Sequence, residues 1–341
     1  MAEPRLNIAG IGLVGGFGQG KQSLLDALRN GGRPNGTVSV TREDGDHKLP
    51  AYQADVSGVI RFISAAAARR MNRFGKLALF GASMAVEDAG WPIPLKRKDV
   101  GLVIASGYGA SKSTFDFLDS IIDEGGNFPS PTLFSNSVHS SAASHLSISL
   151  GLEGPCLTVS QFEMSPISAL LTARDWLVEG RVEAVLFGSV DELCPVLGYC
   201  YDRFFGSGAE GPIEPFAWGK QTAVMGEGAA FVVLTLNNDK VRYGYIDKFQ
   251  WTQARRAVIQ KDELLVFGAD GHTCCAGDYQ KLSEGVNSKV AYSPVYGALP
   301  GGQLFDVIIA ILAGNNKFTS VKCDSSGNCG IIECYCQKEV I

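Results

Sequence analysis

The segment Gly154-Pro-Cys-Leu-Thr-Val-Ser-Gln-Phe-Glu-Met-Ser-Pro-Ile-Ser-Ala sets a short apolar strand, a sharp turn and a helix in immediate succession. A side chain at such a turn lies beside the free N–H groups of a helix N-terminus, which stabilise negative charge. The residue at the turn is Glu163. A cysteine there would gain a lowered thiolate pKa and could accept an acyl group from a thioester. A carboxylate is a poor nucleophile towards thioesters and would give a labile anhydride. The expected geometry is that of covalent catalysis, with a residue unsuited to it. Pro166 fits the first helical turn, where its missing N–H is not needed, and Ile167, Leu170, Leu171 and Leu177 fall on one face.

Other patterns carry weaker chemistry. Gly10-Ile-Gly12-Leu-Val-Gly15 matches G-x-G-x-x-G, a string whose glycines let a dinucleotide pyrophosphate approach a helix. Gly16, Gly18 and Gly20 then intervene before the helix, and no acidic residue ends a second strand about twenty residues on to hold the ribose, so NAD-dependent oxidoreduction is a minor alternative. Nine cysteines include Cys274-Cys275 and Cys323, Cys329, Cys334 and Cys336, spaced unlike a zinc site; reduced thiols, no metal and no cofactor are expected. His145, between Ser144 and Ser147, reads as structural, because neighbours at i and i+1 face different directions on a helix. Arg69, Arg70, Arg73 and Lys76 form a basic cluster in which Arg69 and Arg73, four apart, can share a helix face.

These residues need a layered scaffold. Of 341 residues, 45% are hydrophobic, 19% charged and 41 are Gly, a composition that suits a large core with many tight turns. Thirty basic against thirty-five acidic residues give a net charge of −5, so no general field attracts nucleic acid or anionic membrane. The apolar run Leu6 to Val14 is broken by Gly10 and Gly12 and reads as neither signal peptide nor membrane span, which makes a cytoplasmic location the expectation. Strands are predicted at Leu6–Gly12, Val100–Ala105, Leu157–Ser160, Val182–Gly188, Ala229–Leu236, Leu264–Gly268 and Gly330–Tyr335. Helices are predicted at Lys21–Arg29, Ser64–Gly90, Ser113–Asp123, Ala142–Leu150, Ser165–Gly180 and Gln303–Leu312. The strand-glycine-helix grammar occurs before and after Leu236, which suggests two related halves, 1–236 and 237–341.

Several strings in order, Ile8-Ala-Gly-Ile-Gly, Arg70-Met-Asn-Arg-Phe, Phe134-Ser-Asn-Ser-Val, Ser144-His-Leu-Ser-Ile, Val182-Glu-Ala-Val-Leu-Phe-Gly-Ser-Val-Asp-Glu and Pro215-Phe-Ala-Trp-Gly-Lys-Gln-Thr-Ala-Val-Met-Gly-Glu-Gly-Ala, resemble the β-ketoacyl-acyl-carrier-protein synthase family of the thiolase superfamily. The resemblance implies an α/β fold of five αβαβα layers made of two similar halves with mixed sheets. It also implies a Cys nucleophile at the elbow and two His residues, positions that here hold Glu163, Asp270 (in Asp270-Gly-His-Thr-Cys-Cys-Ala-Gly-Asp278, with His272 two residues away) and Ala298. The family's phenylalanine gate reads Asp324-Ser-Ser-Gly-Asn-Cys329, with Ser325 at the aromatic position, and the interval from Glu227 to Asp270 is short enough to have lost a helix. The resemblance therefore points to a chain-length-factor type of subunit, degenerate in catalysis, which pairs with an active β-ketoacyl synthase in fatty-acid, polyketide or aryl-polyene-like biosynthesis. By the same resemblance Leu133, Phe134, Phe162, Met164 and Ser325 would lie at the acyl tunnel and subunit interface, and Arg69, Arg70, Arg73 and Lys76 would meet an acidic acyl-carrier protein. An alternative retains an enzyme, in which Glu163 and Asp270 form an acid-base site acting on acyl thioesters; Glu227 is a further candidate member, though in its Gly-Glu-Gly string it reads more as an organiser of backbone and side-chain hydrogen bonds than as a proton carrier.

Overall fold

Successive strands of the chain follow one arrangement twice. In the computed structural model, which describes residues 4–124, 129–205, 211–238 and 241–337, β1 (Leu6–Gly15) turns back into β2 (Gly18–Gln19) and runs into α1 (Gly20–Asn30). A separate hairpin, β3 (Gly36–Arg42) and β4 (Gly45–Ala51), precedes α2 (Ala65–Arg70) and α3 (Arg73–Asp88). There follow β5 (Val100–Ala105), α4 (Ser111–Glu124), α5 (Pro131–Ser137), α6 (Ser141–Leu150), β6 (Cys156–Val159), α7 (Ser165–Val178), β7 (Ala184–Asp191), α8 (Pro195–Phe205) and β8 (Gly228–Thr235). The second set is β9 (Tyr245–Gln253), β10 (Leu264–Phe267), α9 (Ala276–Ser283), β11 (Ser288–Val290), α10 (Ser293–Tyr296), α11 (Gly302–Leu312), β12 (Lys317–Cys323) and β13 (Asn328–Tyr335).

The spatial orders are β6-β5-β7-β8-β1 and β11-β10-β12-β13-β9, and in each the first two pairings are parallel and the last two antiparallel. Leu6 and Asn7 of β1 pair with Ile246 and Tyr245 of β9, which joins the two sets into one sheet of eleven strands with β2 at its side. Helices α7 and α11 touch strands of both sets and form the central layer, with α3 outside the first set and α9 outside the second. The five-layer αβαβα arrangement expected from the resemblance is the one observed. The α11 sequence Gly-Gln-Leu-Phe-Asp-Val-Ile-Ile-Ala-Ile-Leu is buried throughout, as an apolar helix packed between the two sets of strands must be.

The glycines of the G-x-G-x-x-G string serve packing. A Cβ on Gly12 would lie 2.1 Å from the Gly81 carbonyl oxygen, and one on Gly10 2.4 Å from that of Ala85, so both let β1 touch the backbone of α3. Gly12→Ala is expected to lose about 2–3 kcal/mol of stability, since backbone rather than a mobile side chain blocks the methyl, and a shift in the urea midpoint would measure it.

Two expectations need correction. The helix predicted over Ser64–Gly90 is two helices, broken at Met71, with Ser64 capping α2 through Ala67 N–H and Asn72 capping α3 through Gly75 N–H. Arg69 and Arg73 therefore do not share a helix face. The polar strands β3, β4, β9 and β12 also escaped the sequence reading, because they lack an apolar run; Lys248 and Gln250 of β9 are exposed. Their exposure has a structural cause. In the first set α3 covers the sheet between the first and second strands, whereas only the single turn Ala254–Arg256 stands in the corresponding interval of the second. Polar residues on β9 suit a sheet face with no helix over it.

Buried carboxyls set the pH response of this core. Burial pushes Asp306 of α11 up to about 8 and Glu192, after β7, up to about 7. Both groups hold a proton in the native state over a pH range where the unfolded chain has lost it, so stability falls as pH rises from about 4 through these values. A Tm measured from pH 5 to 9 should decline by several degrees, and Asp306→Asn should flatten the upper part of that slope.

Candidate functional site

The turn before α7 is strained as the strand-turn-helix reading requires. Phe162 has φ +47, uncommon for a residue with a bulky side chain, and Phe162–Met164 form a single tight turn leading into the helix. Ser165 holds it: its Oγ accepts from Gln161 N–H at 2.7 Å and donates to the carbonyl of Phe162 at 2.7 Å or that of Ser106 at 3.1 Å. Opposite, Asp191 at the end of β7 accepts from Ser106 Oγ and from the backbone N–H groups of Gly107, Tyr108 and Gly301, at 2.9 to 3.1 Å. One fully buried carboxylate thus ties the β5–α4 loop to the loop before α11. Burial pushes Asp191 up to about 6 against the pull of these donors.

Glu163 lies half-buried at the turn, and burial raises its pKa while the Lys322 ammonium opposes the rise. Asp270 lies beyond it, buried, and accepts from Lys322 Nζ at 2.8 Å. Lys322, on β12 and 1% exposed, also donates to the Gly268 carbonyl at 2.9 Å. Burial alone would raise Asp270, but the adjacent ammonium holds it below the usual carboxylate range, and Asp270 in turn raises Lys322. Both members of the pair are therefore charged at neutral pH. The inference of an acid-base dyad from Glu163 and Asp270 meets this arrangement: no hydrogen bond joins the two among the described residues, and the Asp270 carboxylate is committed to Lys322 and to His272 N–H at 3.4 Å.

His272 belongs to the same cluster. Its Nε2 is 3.2 Å from Tyr201 Oη and its Nδ1 3.1 Å from Gln221 Nε2, and its ring packs on Tyr201 and Phe205. Burial lowers its pKa, so the ring is neutral at pH 7. Tyr201 also engages Tyr108, whose ring meets Phe162 edge-on, and burial raises both phenols. Ala298 is buried and held by backbone bonds to Val224 and Gly226, with no group that could move a proton. Lys322, Tyr201 and Tyr108 went unnoticed in the sequence. The one available signal was a lysine inside the strand-like run Phe318-Thr-Ser-Val-Lys-Cys323.

Several proposed roles shift. Glu227, however, keeps the organising role read from the sequence: it is 1% exposed and its oxygens accept from Arg73, Ala54 N–H and Leu193 N–H, which leaves it no place as a proton carrier. Arg73 is thereby removed from the exposed basic set: its guanidinium binds Glu227 and the Ala54 carbonyl. Arg69 and Arg70 are exposed and Lys76 is half-buried. Met164 lies in the core beside Ile167, not at a surface. Phe134 and Phe162 are exposed, Leu133 is half-buried, and Ser325 sits on the β12–β13 turn that Asp324 caps through Ser326 and Asn328 N–H. His145 binds Asn136 Oδ1 through Nε2 at 2.9 Å, a structural contact.

Four exposed apolar side chains lie on elements that adjoin one another. Ile122 of α4, Phe134 of α5, Ile148 of α6 and Leu157 of the edge strand β6 belong to neighbouring elements, and Ile148 is 82% exposed. An unpaired strand edge flanked by such residues is a surface suited to a second chain.

A cavity of about 710 Å³ borders Gly12, Lys21, Asp88 and Trp91, next to the glycine string. Lys21 Nζ is bound by Asp88 and by Tyr243 Oη, and Asp88 Oδ2 accepts from Ile11 N–H and Tyr243 Oη. With the glycines spent on α3 and the lysine neutralised, the dinucleotide reading loses its phosphate cradle.

The family model described as β-ketoacyl synthase, N-terminal domain, matches residues 4–240. A putative polyketide β-ketoacyl synthase 1 of Streptomyces virginiae is 28% identical over 249 residues, 69% of this chain and 58% of that protein. The 3-oxoacyl-[acyl-carrier-protein] synthase 2 of Synechocystis sp. is 24% identical over 243 residues, again 69% and 58%. The chain thus spans 58% of the length of these curated relatives. Among solved structures, a β-ketoacyl synthase from Burkholderia phymatum STM815 superposes with a TM-score of 0.78 at 14% identity, covering 98% of this chain and 100% of that one. The ishigamide ketosynthase/chain length factor superposes with a TM-score of 0.72 at 16% identity, covering 97% and 99%.

Proposed function

Because this chain belongs to the β-ketoacyl synthase family, we propose that it is a non-condensing member of it, of the chain-length-factor type. It pairs with an active ketosynthase and shapes the acyl tunnel of that partner in fatty-acid, polyketide or aryl-polyene-type biosynthesis. The observation that carries this reading is the Asp270–Lys322 ion pair. By the sequence resemblance Asp270 stands for the family's first histidine, Glu163 for the elbow nucleophile and Ala298 for the second histidine, and the buried Asp270–Lys322 pair supports that reading. A buried, charge-neutral pair cannot supply the imidazole chemistry that condensation needs, and Glu163 gives no stable acyl-enzyme. The strained elbow, the Asp191 loop clamp and the apolar face around β6 are kept, which suits a subunit whose value lies in pairing. Arg69 and Arg70, exposed on α2, are the residues left to steer an acidic acyl-carrier protein.

The test is co-expression with an active ketosynthase and incubation with acyl-loaded carrier protein, followed by intact-mass analysis of both subunits. The acyl adduct is expected on the partner alone, with no mass gain on this chain, and product length should change when this chain carries Phe134→Ala. An acyl adduct on this polypeptide in the absence of a partner would overturn the reading.

A further inference from the structure

The chain between β9 and β10 and helix α9 enclose between them a trough of about 500 Å³. Val258, Ile259 and Leu282 supply its apolar lining, and Val258 is 82% exposed. Arg255, Lys261 and Lys281 also line it, and Arg256 is exposed beside them. None of these four cations has a carboxylate within ion-pair distance among the described residues: Arg255 binds Gln253 Oε1 and Lys261 the Glu284 carbonyl oxygen. Asp278 is the acid that lines the trough. In a chain of net charge −5, unpaired cations around an exposed apolar groove are a local inversion of charge.

We propose that this trough binds an acidic amphipathic helix of a partner protein, which packs between the chain that follows β9 and helix α9. Apolar side chains of the helix would cover Val258 and Ile259, and its carboxylates would meet Arg255, Lys261 and Lys281. A trough accommodates a helix better than it does the flat face of a bilayer, and charge complementarity selects the acidic partner. The site lies on the opposite half of the fold from Arg69, Arg70 and the β6 face, so it stands or falls independently of the pairing proposed above.

The test uses the full chain and a fluorescein-labelled helical peptide of about 18 residues with Leu on one face and Glu on the other. Anisotropy should report binding that weakens as salt is raised from about 0.1 to 0.5 M. Arg255→Glu with Lys281→Glu should weaken it about tenfold or more, whereas Arg69→Glu with Arg70→Glu should leave it unchanged. Hydrogen exchange should slow in 254–261 and 276–284 on binding. Equal binding by both charge-reversed proteins, or slowed exchange elsewhere, overturns the proposal. So does co-sedimentation with phosphatidylglycerol vesicles, lost in Arg255→Glu with Lys281→Glu, when the peptide fails to bind.

Discussion

Lys322→Met is expected to destabilise the protein by about 3–5 kcal/mol, because it leaves Asp270 charged, buried and unpaired. Set against the roughly 5–15 kcal/mol that holds a typical domain folded, such a loss brings the chain close to unfolding. The side chain is fully enclosed in β12, so water does not replace the lost ammonium. Two further consequences follow from its position. Glu163 loses the cation that restrains its pKa and should titrate higher, and Asp270 should no longer be held below the usual carboxylate range. The double change Asp270→Asn with Lys322→Met should recover much of the loss, since removing both charges together abolishes the desolvation cost that one alone leaves behind. Urea unfolding at pH 7 on the four proteins of this cycle measures the coupling; additive losses would mean that the two side chains are not a pair in solution.

The second large effect concerns assembly. On the pairing proposed above, Ile148→Asp with Leu157→Lys should weaken association with the ketosynthase partner about a hundredfold or more, because an interface core tolerates unpaired charge poorly. Both residues are accessible in the isolated chain, so the fold itself should be little affected. Sedimentation velocity of the co-expressed pair is the measurement, with circular dichroism to check folding. An unchanged sedimentation coefficient would move the interface away from β6.

Much of the scaffold was legible because its strands and helices carry long apolar periodicities. β5 was read at its observed bounds, and α7 was read from its proline and its apolar face. The elbow was legible for the same reason: a strand and a helix only a few residues apart leave room for little but a sharp turn, which Phe162 takes at positive φ. Strands β9 and β12 were missed because tertiary context supplies their stability. One faces solvent where no helix covers it, and the other carries Lys322 in its interior. The continuous basic helix over Arg69 to Lys76 failed on local chemistry, since Asn72 is a better N-cap than helix interior.

What the linear order of residues determined is the alternation of strands and helices, the elbow with a carboxylate at its apex, and the family likeness, all of them properties of neighbours in the chain. Only the tertiary structure decided that Arg73 turns inward to Glu227, that His272 joins Tyr201, and that Lys322 neutralises Asp270. The Asp270–Lys322 contact spans about fifty residues, across β10 and β12, which are adjacent in the sheet but distant in the chain. Local periodicity specifies which face of an element is apolar. It does not specify which charges from remote strands will share a desolvated space, and it is this sharing that sets the chemistry of the site.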